Sequence, residues 1–144
     1  MGKKTVADFV VSANIPLNAT NFLIRLQGEK KLPEIFPGQF VNVDIQNSGE
    51  IFLRRPFSVF EVDYSTNMLS IIVKILGRGS RKLTEIHAGQ TLNLIYPLGK
   101  GFTLPSPQDK ILAVGGGSGL APMLFLAKKS GLPAGNVDIL IGAK

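Results

Sequence analysis

Short β-prone segments separated by turn residues fill residues 6–96, and this pattern constrains the fold more than any other feature of the chain. In the clearest segment, 40–45, the residues Val41, Val43 and Ile45 alternate with polar ones. A period of two is typical of a strand with one buried face. Six strands are expected at residues 6–13, 22–26, 40–45, 51–62, 68–76 and 91–96, with a turn at Asn47-Ser48-Gly49 and the last strand ended by Pro97.

One short helix is expected between the fifth and sixth strands. Residues 78–86 place Leu83 and Ile86 three positions apart, on one side of a helix. Six short strands with close turns and one small helix are typical of a closed barrel. We therefore expect a mainly β fold built on a six-stranded antiparallel barrel. Pro56 should limit the pairing of the fourth strand, because proline donates no ladder hydrogen bond.

The pattern changes after Pro105-Ser106-Pro107, which predicts a domain at 1–104 and a second segment at 108–144. A continuous apolar run at 110–114 suits a buried parallel strand. One β–α–β unit is completed by glycines at 115–119, a helical stretch at 120–129 ended by Gly131 and Pro133, and a second apolar run at 137–141. We therefore expect the barrel to be followed by an α/β nucleotide-binding segment.

This second segment is expected to be incomplete. Its helical stretch is apolar on all sides, as in helices that several neighbours cover. A β–α–β unit of about thirty-five residues is too small to enclose a core of its own. Either the chain is part of a larger protein, or the segment packs on the barrel or on another subunit. The first interpretation is favoured.

Composition limits the classes of protein to which the chain can belong. With 44% hydrophobic and 18% charged residues, it is a packed globular protein. No apolar run is long enough for a membrane span, and the start of the chain lacks the apolar stretch of a signal peptide. The absence of cysteine excludes iron–sulfur ligation and thiolate zinc sites within these residues. A cytoplasmic location is favoured.

The net charge of +6 raises the possibility of a nucleic-acid partner. Lysine pairs such as Lys30-Lys31 are scattered, however, and are typical of a solvated surface. A compact anionic cofactor explains the denser group at least as well as a polynucleotide does. That group comprises Arg54, Arg55, Lys74, Arg78, Arg81 and Lys82.

Neither a metal site nor a catalytic acid–base pair is expected from the sequence. His87, the only histidine, has no serine or cysteine nucleophile beside it in the sequence. The carboxylates, Glu50 among them, show no spacing that suggests a metal site. Chemistry carried by an organic cofactor requires no such residues.

Two short motifs predict a binding site for a flavin dinucleotide. The first is Arg55-Pro56-Phe57-Ser58, in which arginine can grip a phosphate through two hydrogen bonds. Phe57 could stack on a ring, and Ser58 could form a hydrogen bond with it. The second motif is Gly77-Arg78-Gly79-Ser80, a turn whose glycines let the main chain approach a diphosphate. Lys74 would stabilise a reduced, anionic ring by its charge.

The glycines at 115–119 predict a further phosphate contact, but without a strict fingerprint. The dinucleotide pattern requires Gly or Ala at its sixth position, where this chain has Leu120 or Pro122. What remains is a strand-to-helix turn in which Gly116, Gly117 and Gly119 could approach phosphate or pack closely. No acidic residue ends the second strand, so the choice between NADH and NADPH stays open.

Together with two further motifs, these segments resemble the ferredoxin–NADP reductase superfamily. The additional motifs are Pro97-Leu98-Gly99-Lys100-Gly101-Phe102 and the run from Gly115 to Pro122. More narrowly, residues 32–41 and 53–58 are similar to the electron-transfer subunits of dihydroorotate dehydrogenase B. The resemblance covers the whole chain.

The resemblance implies a barrel that binds FAD, followed by a domain that binds NAD(H). Electrons from NADH would pass through FAD and a 2Fe–2S cluster to an FMN-containing catalytic subunit that oxidises dihydroorotate, in pyrimidine biosynthesis. The family's cluster cysteines are absent here, so this chain by itself is not expected to complete the relay. By motif match, the FAD-binding residues would be Arg55, Pro56, Phe57, Ser58, Ile72, Val73, Lys74, Gly79 and Ser80.

Other functions stay open on the sequence alone. A reductase of the same superfamily could feed a ferredoxin or another cluster protein. A small basic barrel could instead bind single-stranded nucleic acid, although an aromatic stacking surface is not evident. A structural fragment with an exposed interaction helix is a third alternative.

Overall fold

The computed structural model describes residues 4–45 and 51–142. The turn expected at Asn47-Ser48-Gly49, and Glu50, lie outside these ranges. No helix in the described part of the chain has the length and apolarity needed to cross a membrane. The first eight elements are β1 (Thr5–Pro16), β2 (Asn21–Gly28), β3 (Phe40–Val43), β4 (Arg55–Asp63), β5 (Met68–Lys74), α1 (Arg78–Thr84), β6 (Thr91–Leu98) and β7 (Ile111–Gly116).

Strands β1 to β6 form a closed antiparallel barrel in the order β1-β2-β5-β4-β3-β6. This confirms the predicted fold class. The expected face of β3 is also confirmed, since Val41, Val43 and Ile45 are all buried. Burial of such alternating apolar side chains in the interior supplies most of the driving force for closing the barrel. Phe9 and Tyr96 meet edge to face in this core, with ring centroids 5.0 Å apart.

The expectation that Pro97 ends the last strand is wrong. β6 continues to Leu98, which pairs with Phe40 of β3. The register between the two strands shifts between Phe40 and Asn42, where two residue steps on β3 face three on β6. A proline is tolerated at such an irregularity because regular strand pairing is already interrupted there, so no ladder hydrogen bond from the proline nitrogen is required.

The remaining elements form the expected β–α–β unit. A 3₁₀ turn (Gly117–Gly119) follows β7 and leads into α2 (Leu120–Ser130). A second 3₁₀ turn (Ala134–Asn136) precedes β8 (Val137–Gly142), which pairs in parallel with β7. Helix α2 ends as predicted at Gly131, whose φ of 68° lies in the left-handed region that glycine tolerates.

The β–α–β unit packs against the barrel through α2. Phe125 is buried in the same apolar cluster as the barrel residues. At the end of α2, Nζ of Lys128 lies 2.6 Å from a carboxylate oxygen of Glu61 on β4, and Lys129 pairs with Glu34. The strands β7 and β8 are less buried than expected, since Leu112 and Val114 are exposed. The predicted division of the chain into 1–104 and 108–144 stays a prediction.

Candidate functional site

Strands β4 and β5 separate at one end of the barrel. Their pairing begins at Val59 and Ile71, whereas the residues of β4 before Val59 pair with β3 on the other side. The main chain of residues 72–74 therefore has no β4 partner among the described pairings. Backbone donors and acceptors at such an edge can bind another molecule.

The separation opens a cleft of about 580 Å³ between β4, β5 and α1. This volume lies within the range of small-molecule and cofactor sites. The cleft is lined by Ile51, Arg55, Pro56, Phe57, Lys74, Leu76, Gly77, Arg78, Gly79 and Ser80. The Arg55–Ser58 and Gly77–Ser80 motifs, which are twenty residues apart in the sequence, thus meet at one site.

The guanidinium of Arg55 lies directly against Gly79. A methyl group at Gly79 would stand 3.2 Å from Nε of Arg55 and 3.3 Å from Cδ1 of Ile45. Glycine at this position therefore allows the cation to approach the first turn of α1 closely. Arg55 also donates from Nη1 to the carbonyl oxygen of Leu53, at 3.1 Å. Within residues 4–45 and 51–142 its other N–H groups donate no hydrogen bond, so they can bind a ligand.

Ser80 stabilises the turn rather than pointing a free hydroxyl at the cleft. Its Oγ accepts hydrogen bonds from the N–H groups of Leu76 and Gly77, at 2.8 and 3.1 Å. The same hydroxyl donates to the carbonyl oxygen of Gly77. These three bonds use one donor and two lone pairs, which is the full capacity of a hydroxyl. Ser80 therefore fixes the loop that leads from β5 into α1.

Arg55 and Lys74, which line the cleft, have no carboxylate partner in the described part of the chain. Within residues 4–45 and 51–142, neither Arg55 nor Lys74 takes part in an ion pair. The neighbouring Arg54 differs, because it pairs with Asp44 at 3.6 Å and donates from Nη2 to Oδ1 of Asn93 at 2.6 Å. Arg54 thus holds the barrel wall, whereas Arg55 and Lys74 give the cleft a positive potential that attracts anions.

The glycine turn after β7 lies beside the same strand. Residues Gly117–Gly119 come within 8 Å of β5 between Cα atoms. Gly115 packs tightly, since a methyl group there would lie 3.1 Å from the carbonyl oxygen of Gly119. At Gly117 and Gly119 no non-neighbouring group of the described residues lies within 4 Å of the position of a Cβ, so their main chain is open on that side. Gly117 also has a φ of 56°, which favours glycine.

The structure brings together part of the predicted site. Ser58 and Ile72 are half-buried next to the cleft, and alternation places Ser58 on the opposite face of β4 from the buried Val59. Val73 is wholly buried, so only its main chain could touch a ligand. Six of the predicted residues line the cleft together: Arg55, Pro56, Phe57, Lys74, Gly79 and Ser80.

Sequence reasoning missed two apolar lining residues, Ile51 and Leu76. Leu76 is 81% exposed although it is large and apolar. Their position in the sequence, directly beside the two motifs, could have indicated them. An apolar residue at a strand end is usually part of the core, however, so this position was not a distinctive signal. Only the fold shows that these side chains flank an open cleft.

The profile of the oxidoreductase FAD-binding domain family matches residues 7–103, a span that covers the barrel except for the first two residues of β1. This match includes both motifs that meet at the cleft. The chain therefore belongs to the oxidoreductase FAD-binding domain family.

Curated relatives confirm the narrower resemblance to electron-transfer subunits of dihydroorotate dehydrogenase B (NAD(+)). The protein of that name from Desulforamulus reducens is 35% identical over 75% of this chain and 41% of its own length. The one from Fusobacterium nucleatum is 33% identical over 86% of this chain and 49% of its own length. The chain thus spans less than half the length of these relatives.

Solved structures share the fold at lower identity. The ferredoxin reductase of carbazole 1,9a-dioxygenase superposes with a TM-score of 0.80 at 19% identity, covering 98% of this chain and 52% of that chain. Phthalate dioxygenase reductase gives a TM-score of 0.80 at 20% identity, covering 96% of this chain and 44% of that chain. At these identities the likeness concerns the fold alone.

Proposed function

We propose that the chain binds FAD in the cleft between β4, β5 and α1, as part of an electron-transfer subunit of dihydroorotate dehydrogenase B. The observation that carries the proposal is that Arg55 and Lys74 line the cleft without an ion-pair partner in the described residues, next to the surfaces of Pro56 and Phe57. Unpaired cations favour an anionic ligand, and the apolar surfaces favour a flat ring. The match to an FAD-binding family supports the same ligand.

The residues of the cleft fit the two ends of the cofactor. Arg55 can donate two hydrogen bonds to one phosphate of the diphosphate. Because Gly79 has no side chain, its main chain can face the same phosphate. Helix α1 has only seven residues, so its dipole is a minor contribution beside the arginine. At the other end, the open main-chain edge of residues 72–74 can form hydrogen bonds with the rim of the ring.

The chain's own residues would position the reacting groups. Oxidation of dihydroorotate releases two electrons, and the relatives' name gives NAD(+) as their acceptor, so the proposed flow runs to the nicotinamide rather than from NADH as the sequence resemblance implied. Bound FAD would supply the chemistry of taking up electrons one at a time and passing a hydride to the nicotinamide. Lys74 would stabilise negative charge near the ring, because a cation at a partly desolvated site interacts strongly. The turn containing Gly116, Gly117 and Gly119 would receive the phosphates of NADH beside β5.

The rest of the electron path would lie outside these residues. The chain contains no cysteine, so a 2Fe–2S cluster would be held elsewhere in the protein. The partner would be an FMN-containing catalytic subunit that oxidises dihydroorotate, in a cytoplasmic hetero-oligomer. The barrel at 1–104 would carry FAD, and the segment at 108–144 would begin the NAD-binding domain.

Titration with FAD tests the proposed ligand. Wild-type protein should quench flavin fluorescence with a defined Kd, and Arg55→Ala should weaken binding by about 1.5–3 kcal/mol, the range for hydrogen bonds to charged groups. Arg25→Ala is the matched control, because Arg25 is an exposed arginine on β2 that does not line the cleft. Its FAD affinity should equal that of the wild type. Equal affinities for all three proteins would contradict the proposed phosphate contact.

The redox partner of the full-length protein is tested in a separate experiment. The fold is shared with reductases that serve other partners, so a ferredoxin is the second candidate. Reduction of NAD⁺ by dihydroorotate that requires both the dihydroorotate-oxidising subunit and this protein would support the proposed partner. Activity with a ferredoxin and none with that subunit would favour the alternative.

A further inference from the structure

Asn14 holds the end of α1 that lies away from the cleft. Its Nδ2 donates to the carbonyl oxygens of Thr84 and Ile86, at 2.8 and 2.9 Å. Thr84 is the last residue of α1 and Ile86 lies two residues beyond it, at a helix end where carbonyl groups lack intrahelical donors. The bonds join residues that are 70 and 72 positions apart in the sequence, so they fix the helix to the barrel wall.

A bulge in β1 brings Asn14 to this position. Val11 pairs with Leu26, but the register then shifts so that Ala13 pairs with Arg25 and Asn14 with Ile24. The alternation set by the buried Val11 would place residue 14 on the outer face. The extra residue instead turns Asn14 to the side of the buried Ile24, since a one-residue slip exchanges the faces of a strand. Bulges that redirect a side chain in this way recur next to functional sites.

The orientation of the amide leaves one polar atom unsatisfied. Oδ1 of Asn14 is buried and has no hydrogen-bond partner among the described residues. Rotating the amide would place Oδ1 against two carbonyl oxygens, so the donor must face α1. An unsatisfied buried acceptor lowers the free energy of unfolding. The presence of asparagine at this position therefore calls for an explanation other than the stability of the fold.

Helix α1 connects Asn14 to the cleft. It spans seven residues, or about 10 Å at the rise of an α-helix. Leu83 is buried in the barrel core near the end held by Asn14, and Gly79 lies against Arg55 at the other end. With Leu83 as a fixed point, loss of the Asn14 bonds would let the helix tilt. The first turn would then move relative to Arg55.

We propose that Asn14 is a positioning residue for the anion cleft: it holds α1 so that the main chain of Gly79 and the guanidinium of Arg55 face the same phosphate. This inference rests on the proposed function. It adds a residue on β1 that does not line the cleft and that neither motif contains.

The test is Asn14→Asp, which keeps the shape of the side chain and removes the amide donor. The FAD Kd should rise roughly three- to thirtyfold, the range for residues that act on a site without touching the ligand. In the ligand-free protein, the backbone amide signals of Gly79 and Ser80 should shift in NMR spectra. That second measurement does not depend on FAD.

The matched control is Asn67→Asp. Asn67 also donates from Nδ2 to two carbonyl oxygens, those of Gly28 and Lys30, but it lies in the β4–β5 turn and does not line the cleft. Like Asn14→Asp, this variant loses two amide-to-carbonyl hydrogen bonds and gains one negative charge. It should unfold more easily while its FAD Kd changes less than about twofold. If Asn14→Asp does not fold, Asn14→Ser and Asn67→Ser replace the pair, because a serine hydroxyl is too short to bridge both carbonyls.

The outcomes separate this inference from the proposed function. If wild-type protein binds FAD and Arg55→Ala weakens binding, equal Kd changes in the Asn14 and Asn67 variants would overturn the positioning role. Unchanged amide signals of Gly79 and Ser80 would do the same. If wild-type protein binds no FAD, the proposed function fails, and this inference fails with it.

Discussion

At the scale of single residues, a substitution at Gly79 should affect helix stability and FAD affinity differently. Alanine is a better helix former than glycine by up to about 1 kcal/mol. A methyl group at Gly79, however, would press on Nε of Arg55 at 3.2 Å and on Cδ1 of the buried Ile45 at 3.3 Å, so both side chains would have to shift. Because the gain in helix propensity opposes the strain at Ile45, Gly79→Ala should change the melting temperature little while the FAD Kd rises by about tenfold, equivalent to one hydrogen bond.

The control for this substitution is Gly135→Ala. No group lies within 4 Å of the position of a Cβ at Gly135, and its φ is not positive. This variant should change neither the melting temperature nor the FAD Kd appreciably. A Gly79→Ala protein that binds FAD like the wild type would show that the guanidinium need not lie against the turn.

At the scale of elements, the turn between β4 and β5 makes the stability of the barrel depend on pH. Hydrogen bonds from the Ser65 side chain, then from the Thr66 side chain, lower the pKa of Asp63 to about 2. Because the folded-state pKa lies below the unfolded value, the ionised carboxylate stabilises the folded chain above pH 4 or so. That contribution to the free energy of unfolding is lost as the pH falls from about 4 to about 2.

Asp63→Asn should flatten the corresponding part of the stability curve. The asparagine amide does not ionise, so the free energy of unfolding of the variant should fall less than that of the wild type between pH 5 and pH 2. Chemical denaturation at each pH measures this difference. Asp138→Asn, an exposed carboxylate on β8, is the control and should keep the wild-type slope. Parallel curves for wild type and Asp63→Asn would show that the turn does not hold the ionised form.

The order of the elements was predictable from the sequence, whereas their irregularities were not. Alternating side chains and turn residues predicted all six barrel strands and a helix at 78–86, which the structure has at Arg78–Thr84, because period and punctuation are local properties. The continuation of β6 past Pro97 and the bulge that redirects Asn14 depend on strand pairing. A neighbour in the sheet determines such features, and no local pattern records them.

At the scale of the whole molecule, the motifs predicted which residues form the site, but the fold was needed to describe its shape. Arg55 and Gly79 could be paired from their chemistry, since cations and glycine turns both bind phosphate. The separation of β4 from β5 at Val59, the full use of the Ser80 hydroxyl and the exposure of Leu76 follow only from the closed barrel. Sequence reasoning had likewise left open whether α2 packs on the barrel, which Phe125 and Lys128 show that it does.

A crystal structure of the protein with FAD tests the central claim most directly. The account predicts that the diphosphate lies between the guanidinium of Arg55 and the main chain of Gly79, with the ring along residues 72–74. A diphosphate bound at the turn of Gly117, or one in contact with neither Arg55 nor Gly79, would contradict it.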